Sequence, residues 1–435
     1  MKKALQVMKF GGTSLGDGSC IARVVRIVGD AAAESRVVVV VSAMSGVTNR
    51  LIEAAHEARA GNSTAVAKSF AEMRSRHEEV VAALIPAVVE RGGLQGKLHD
   101  LFLEGERLCE ATILSRELMP RILDAISGLG ERLCAPIVAA ALAQAGVRSE
   151  AIEATELVVT DSIHGEAEPL IESTRKRCQS RLTPLVAKGV VPVVTGFIGA
   201  TEDGVLTTLG RGGSDYSATL LGAAAGADEV VIWTDVNGLL TADPKLVPEA
   251  CTIPEISYRE AAELAHFGAK VLHSKTLRPV LQYGIPVRIK NTFDPAVPGT
   301  KITSAGPRKA SEVNTKLSTG VIAITGVGGT TACGKTLPGS TVLITVVGAN
   351  LQVESPAIVR ALAALRESHN IVAVPAQQSS DCSLSFTVPQ AEMEIALVIL
   401  HRELGLGLQP TKRRPMTSDS RPAQTWQHQS EAAAD

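Results

Sequence analysis

An α/β fold built on a mainly parallel central sheet, followed by a smaller α+β unit, is what this sequence predicts. Three observations predict it. β-Branched runs alternate with helical segments through the first two thirds of the chain. One of them, "RVVVVVSAM" at 36–44, holds a continuous β-branched run, as expected of a strand buried on both faces of a parallel sheet. Glycines gather directly after the strands, where open α/β sheets bind their ligands.

In chain order, "LQVMKF" (5–10) reads as the first strand and closes on a glycine-rich turn, and "SCIARVVRIVGDAAAE" (19–34) has helical period. Residues 49–126 are mostly helical by pattern. Further strands are "GVRSEAIEA" (146–154), "VVPVVTGF" (190–197), "EVVIWTD" (229–235) and "PVRIKN" (286–291), with helices between them, notably at 214–226 and 257–267. The Pro/Gly-rich stretch "DPAVPGTKITSAGPRKASE" (294–312) marks a domain boundary, which gives a first domain over 1–304 and a linker over 305–318. Then come strands 319–327 and 341–348, a helix at 355–368, strands 371–377 and 382–389, and a helix at 390–404. This order fits a ferredoxin-like unit over 319–410, with 319–327 as a fourth strand in permuted order. The tail from 411 to 435 is polar and low in aliphatics, and is expected to be disordered.

At 435 residues the chain can bury a large core. With 45% apolar and 20% charged residues it reads as an ordinary soluble protein. A net charge of −2 and 3% aromatics make no case for nucleic acid or for an anionic membrane surface. The longest unbroken apolar runs fall well short of the roughly 20 residues of a membrane span. Seven scattered cysteines, no C-x-x-C and no secretory signal point to a reduced, cytoplasmic setting. The nine histidines lack metal-ligand spacing, so no protein-held metal is expected.

Two stretches compete for phosphate. "GTTACGKT" (329–336) fits the P-loop pattern, but Pro338 and Gly339 and then a β-branched run follow it, so no helix can start there. It reads as a connector between two strands. "KFGGTS" (9–14) instead closes a strand with two glycines and places the cation of Lys9 beside them. "TTLGRGGSDYSATLLGAA" (207–224) adds Arg211 and a helix start at Ser214 and Asp215, a combination suited to a carboxylate or a phosphate. "WTDVNGLLTADPK" (233–245) contributes Asp235, Asp243 and Lys245, and "FGAKVLH" (267–273) contributes Lys270.

Taken in order, "KFGGTS", "VVSAMSGVTN" (40–49), "GERLCAP" (130–136), "TTLGRGGSDYSA", "WTDVNGLLTADPK" and "FGAKVLH" resemble the aspartokinases of the amino-acid kinase family, over about residues 5–304. The resemblance implies a three-layer amino-acid-kinase sandwich and phosphorylation of the L-aspartate side chain by ATP with Mg²⁺, the first step toward lysine, threonine and methionine. It implies that Lys9, Asp215 and Lys270 are catalytic: Lys9 neutralises the transferring phosphoryl group, Asp215 orients the lysines and Lys270 helps with the phosphates. Ser42, Thr48, Glu131, Arg211, Gly213 and Ser214 would hold aspartate, Arg211 on a carboxylate and Glu131 on the α-ammonium. Gly11, Gly12, Thr234, Asp235, Leu240, Lys245 and Val271 would line the nucleotide. Glu106 shares the "GER" context of Glu131, but only "LDAISGLGERLCAP" matches the family's helix. The nucleophile would be an already ionised carboxylate (free Asp is about 3.9), so no general base is needed.

Leu240 and Lys245 stand where the family usually has Tyr and Arg, which is expected to alter ATP binding. The resemblance also implies a C-terminal ACT-type regulatory domain, here one repeat with a shortened connector at 328–340. Asn350, Leu351, Gln377 and Ser379 would meet an amino-acid effector, lysine or threonine, and a homodimer would form through this unit. No fused dehydrogenase is expected. The alternatives are a kinase for an aspartate analogue or another carboxylate, and a non-catalytic amino-acid sensor.

Overall fold

The chain has been built as a computed structural model, which describes residues 3–267, 272–306, 321–328, 341–349, 351, 353–369, 371–375 and 380–407. Its strands are β1 (Leu5–Phe10), β2 (Arg36–Val41), β3 (Ser149–Ile152), β4 (Val191–Thr195), β5 (Ile198–Ala200), β6 (Leu206–Thr208), β7 (Glu229–Thr234), β8 (Glu255–Ser257), β9 (Val287–Asn291), β10 (Thr300–Thr303), β11 (Val321–Gly328), β12 (Thr341–Gly348), β13 (Val374–Pro375) and β14 (Ser383–Pro389). The helices are α1 (Gly18–Glu34), α2 (Val47–Ala60), α3 (Ser63–Leu84), α4 (Val88–Ser115), α5 (Pro120–Ser127), α6 (Leu129–Gln144), α7 (Ile171–Ala187), α8 (Gly213–Ala225), α9 (Tyr258–His266), α10 (Arg278–Leu281), α11 (Pro356–His369) and α12 (Met393–Glu403).

One eight-stranded sheet runs β3-β4-β2-β1-β7-β9-β10-β8, parallel except where β9 meets β10. The valine run explains its layers. Successive strand residues point to opposite faces, so Val37, Val39 and Val41 join Met8, Phe10, Val231 and Trp233 under α1, α2 and α6. Val38 and Val40 join Val7, Val194, Val230 and Ile232 on the other face, against α7, α8 and α9. Both faces are covered, as the unbroken apolar run required.

Three differences from the sequence reading have local causes. The strand expected over 36–44 ends at Val41, because Ser42 to Ser45 turn into the approach to α2. The strands at 198–200, 206–208, 255–257 and 300–303 are only three or four residues long, too short to show a period. The strand expected over 371–377 is reduced to Val374–Pro375 among the described residues. A fourth difference concerns membranes. Residues 120–144 form a helical stretch long and apolar enough by length and composition to cross a bilayer, although 78% of its apolar window is buried in the protein. It is a core helix, and it carries the buried carboxylates of Asp124 and Glu131.

The smaller unit is a four-stranded antiparallel sheet, β11-β12-β14-β13, with α11 and α12 packed together over it. Ile324, Val342, Ile344, Phe386 and Val388 face those helices. Ala323 and Val347, on the opposite face, join the core of the larger unit. The pseudo-P-loop at 329–336, the 307–318 part of the linker and the tail from 411 lie outside the described residues.

Candidate active site

The chain leaves β1 toward β2 on one side and returns as β7 on the other, so the carboxyl ends of these three strands form a topological switch point. The candidate site lies there. Lys9 is the penultimate residue of β1 and is nearly buried. Its Nζ lies 2.5 Å from Oδ1 of Asp215, in the first turn of α8. An ion pair this short and this sheltered fixes the ammonium in place, whereas a lysine on an exposed turn would swing freely. Gly11 follows the strand, with its N–H donating to Trp233 O at 3.2 Å and its Cα beside the Lys9 ammonium.

α8 is capped by Gly212 with no side-chain hydrogen bond, so its first turn offers N–H groups and a positive dipole end to the cleft. Gly210 and Gly212 have φ of +77° and +70°, a conformation that costs other residues free energy. Between these two left-handed residues Arg211 is thrust outward. Its guanidinium is exposed and has no acidic partner among the described residues.

Glu131 occupies the first turn of α6 and is only 2% exposed. Its Oε1 accepts from Ala43 N at 3.0 Å and from Ser42 Oγ at 3.5 Å, while Oε2 is buried without a partner among the described residues. Burial pushes the carboxyl up to about 8, against the opposing pull of the Ala43 N–H, Lys9 and Ser42. A buried carboxylate oxygen with no donor costs free energy until a cation or donor reaches it. Glu106, the residue with the same local motif, pairs with Arg74 at 2.8 Å on a different helix.

These groups share one hollow. Lys9, Ser42, Thr48, Glu131, Arg211 and Ser214 line a cavity of about 280 Å³, with Gly213 and Asp215 also on its wall. A second cavity, about 390 Å³, adjoins it through Ser42 and Thr48 and is lined by Gly11, Gly12, Thr234 and Asp235 among others. The first hollow thus offers two cations, Lys9 and Arg211, and a buried carboxyl group. The second offers glycine backbone and the end of β7, which suits a phosphate chain. Among the described residues no group of three or more His, Cys, Asp or Glu side chains is disposed to hold a metal ion.

Not every expected residue is brought together. Leu240 is half-buried and bridges to Thr252, and Lys245 is exposed, its N–H donating to Asp243 Oδ1 at 2.9 Å. Neither lines either cavity. Leu351 is buried in the core of the smaller unit. Lys270, Val271, Asn350, Gln377 and Ser379 lie outside the described residues. One wall residue escaped sequence reasoning. Phe197 adopts φ of +68°, strained for a bulky side chain, and is held there by its N–H to Ser217 Oγ and its carbonyl to Leu209 N. No composition signal marks such a position.

Three comparisons bear on this arrangement. The sequence model of the amino acid kinase family matches residues 4–291. The chain is 30% identical over 414 residues to the bifunctional aspartokinase/homoserine dehydrogenase of Haemophilus influenzae, covering 95% of this chain and 48% of that protein. It is 36% identical over 302 residues to the chloroplastic aspartokinase 1 of Arabidopsis thaliana, covering 68% and 52%. The chain therefore spans about half the length of the curated relatives it matches. Among solved structures, E. coli aspartokinase III in complex with aspartate and ADP (R-state) superposes with a TM-score of 0.76 at 26% identity, over 92% of this chain and 100% of that one. The same enzyme in complex with lysine and aspartate (T-state) gives 0.75 at 26% identity.

Proposed function

The chain belongs to the amino acid kinase family, and on that premise we propose that it transfers the γ-phosphoryl group of MgATP to the side-chain carboxylate of L-aspartate. One observation carries the reading: a single hollow joins the Lys9–Asp215 pair, the partnerless Oε2 of Glu131 and the outward-thrust Arg211. That set matches an amino acid with a second carboxylate. The substrate ammonium would satisfy Glu131, Arg211 would grip a carboxylate, and the free N–H groups of α8 would add to that grip.

The side-chain carboxylate attacks the γ-phosphorus, a C–O–P bond forms, and the bond to the ADP oxygen breaks. The nucleophile is ionised at neutral pH, so no proton moves and no general base is required. What the protein supplies is position and charge. Lys9 lines the first cavity, next to Ser42 and Thr48 where the second adjoins it, and would neutralise charge on the phosphoryl oxygens, while Asp215 keeps its ammonium from drifting. Mg²⁺ would arrive with the nucleotide as part of the substrate. The likeness to aspartokinase III solved with aspartate and ADP supports this reading, and the product would enter the route to lysine, threonine and methionine.

The test is turnover of MgATP and L-aspartate with hydroxylamine present to trap the acyl phosphate, with Lys9→Ala run in parallel. Aspartyl hydroxamate from the wild type, reduced at least about a hundredfold in Lys9→Ala, is expected. Lysine and threonine added separately ask whether the smaller unit regulates, since lysine occupies the related T-state structure. No hydroxamate from a folded wild type would overturn the reading and favour a kinase for another carboxylate.

A further inference from the structure

Resting on that reading, we infer that Asp124 is a positioning residue, which sets the spacing between the ammonium end and the carboxylate end of the substrate site. Asp124 touches neither cavity. It sits on α5, seven residues before Glu131, and the two short helices run on with only Gly128 between them. Its side chain is 3% exposed. Both oxygens are saturated by groups from two other segments. Thr208 Oγ1 donates to Oδ1 at 2.6 Å, and Thr208 N to Oδ2 at 3.3 Å. Gly165 N lies 3.1 and 3.0 Å from the two oxygens, and His164 Nδ1 is 2.8 Å from Oδ2.

Those two segments hold the Arg211 turn. Thr208 ends β6, two residues before Gly210. The 161–168 loop supplies the surface on which Gly210 lies: a side-chain carbon at Gly210 would come within 3.2 Å of Gly165 O and 3.1 Å of Glu166 Cγ. The loop and the strand are also tied directly, Ala167 N donating to Thr208 O at 2.9 Å and Thr160 Oγ1 meeting Thr207 Oγ1 at 2.7 Å. One carboxylate thus fixes both the strand that delivers Arg211 and the loop beneath its turn, and it does so from the helical stretch that carries Glu131. Ammonium site and carboxylate site hang on the same rod, and Asp124 is the joint between them.

The perturbation is Asp124→Asn, close to isosteric but wrong in polarity. An amide can accept from Thr208, yet its NH₂ then faces the Gly165 N–H, which cannot reverse its role. Displacing a substrate-orienting group by an ångström costs up to about a hundredfold. We expect KM for aspartate to rise about tenfold or more in Asp124→Asn, with KM for MgATP changed by less than about twofold, since no nucleotide-side residue touches Asp124. Thr208→Val, which removes one donor and keeps the carboxylate, should show the same one-sided shift at smaller size, and it serves if Asp124→Asn fails to fold. A mere loss of thermal stability with KM for aspartate unchanged, or equal changes in both KM values, overturns the inference while wild-type turnover keeps the functional reading intact. Wild type that binds no aspartate by calorimetry overturns both.

Discussion

Titration of Glu131 offers a direct reading of the substrate site. Its carboxyl is pushed up to about 8, chiefly by burial. In the free protein at pH 7 about nine-tenths of these groups are then protonated, and at pH 9 about one-tenth. An ammonium bound against Oε2 requires the ionised form. Binding aspartate at pH 7 should therefore release about 0.9 proton from this site, falling to about 0.1 at pH 9. Calorimetric titration in two buffers of different ionisation enthalpy measures that number from the difference in observed heats. Glu131→Gln should abolish the release and weaken binding by about 1.5–3 kcal/mol, roughly tenfold to a hundredfold, because an amide cannot pair with a cation as a carboxylate does. The same shift has a stability consequence. The folded value lies above the ordinary 4.5, so the folded state holds this proton more tightly than the unfolded chain. The stabilisation is fully present below about pH 4.5 and is lost as pH rises through about 8. Melting of the ligand-free wild type should therefore drop, relative to Glu131→Gln, between those values. Binding heats that do not depend on the buffer at pH 7, with aspartate bound, would refute the reasoning.

Two further outcomes follow from the geometry. Gly212→Ala places a side chain at φ +70° with its Cβ 2.8 Å from His273 Cβ, so it should destabilise by about 1–3 kcal/mol and raise KM for aspartate by moving Arg211; thermal denaturation with steady-state kinetics checks this. Thr241→Val strips the hydroxyl that meets His401 Nε2 at 2.9 Å and accepts from Cys251 N at 3.0 Å, so denaturant titration should show a loss of about 1–3 kcal/mol.

Much of the fold was legible because its signals are local. An unbroken valine run specifies a strand covered on both faces, and a glycine pair after β1 specifies a close backbone approach. Lys9, Arg211 and Asp215 stand in glycine-rich motifs at the end of a strand or the start of a helix, whereas Glu131 was reached only through the resemblance to the aspartokinases. What could not be read depends on contacts distant in sequence. Asp124 stands inside the very stretch that distinguished Glu131 from Glu106, yet its partners lie 40 and 84 residues away. A buried, fully bonded carboxylate looks like any helical Asp until those partners are placed. Phe197 is similar: its strained backbone is a property of what surrounds it.

The fate of Leu240 and Lys245 shows the same physics at the scale of domains. Both were expected beside the nucleotide because the resembled family usually has a Tyr and an Arg there, lining it. The chain turns at Gly238, whose φ of +124° and contact with Thr300 leave no room for a side chain. From there it enters the smaller unit. Thr241 O accepts from Ile324 N at 2.8 Å, Ala242 and Val247 are part of that unit's apolar core, and Cys251 Sγ lies 3.2 Å from Leu406 O. The segment 239–251 therefore leaves the end of β7 as part of the cleft's framework and finishes as part of the other core. Close-packed interiors shift as bodies and do not deform continuously. A displacement of the smaller sheet would pull on the residues that follow Asp235 through this segment, and on α9 through Ala323, Val347 and the Thr325 hydroxyl, which donates to Phe267 O at 3.1 Å.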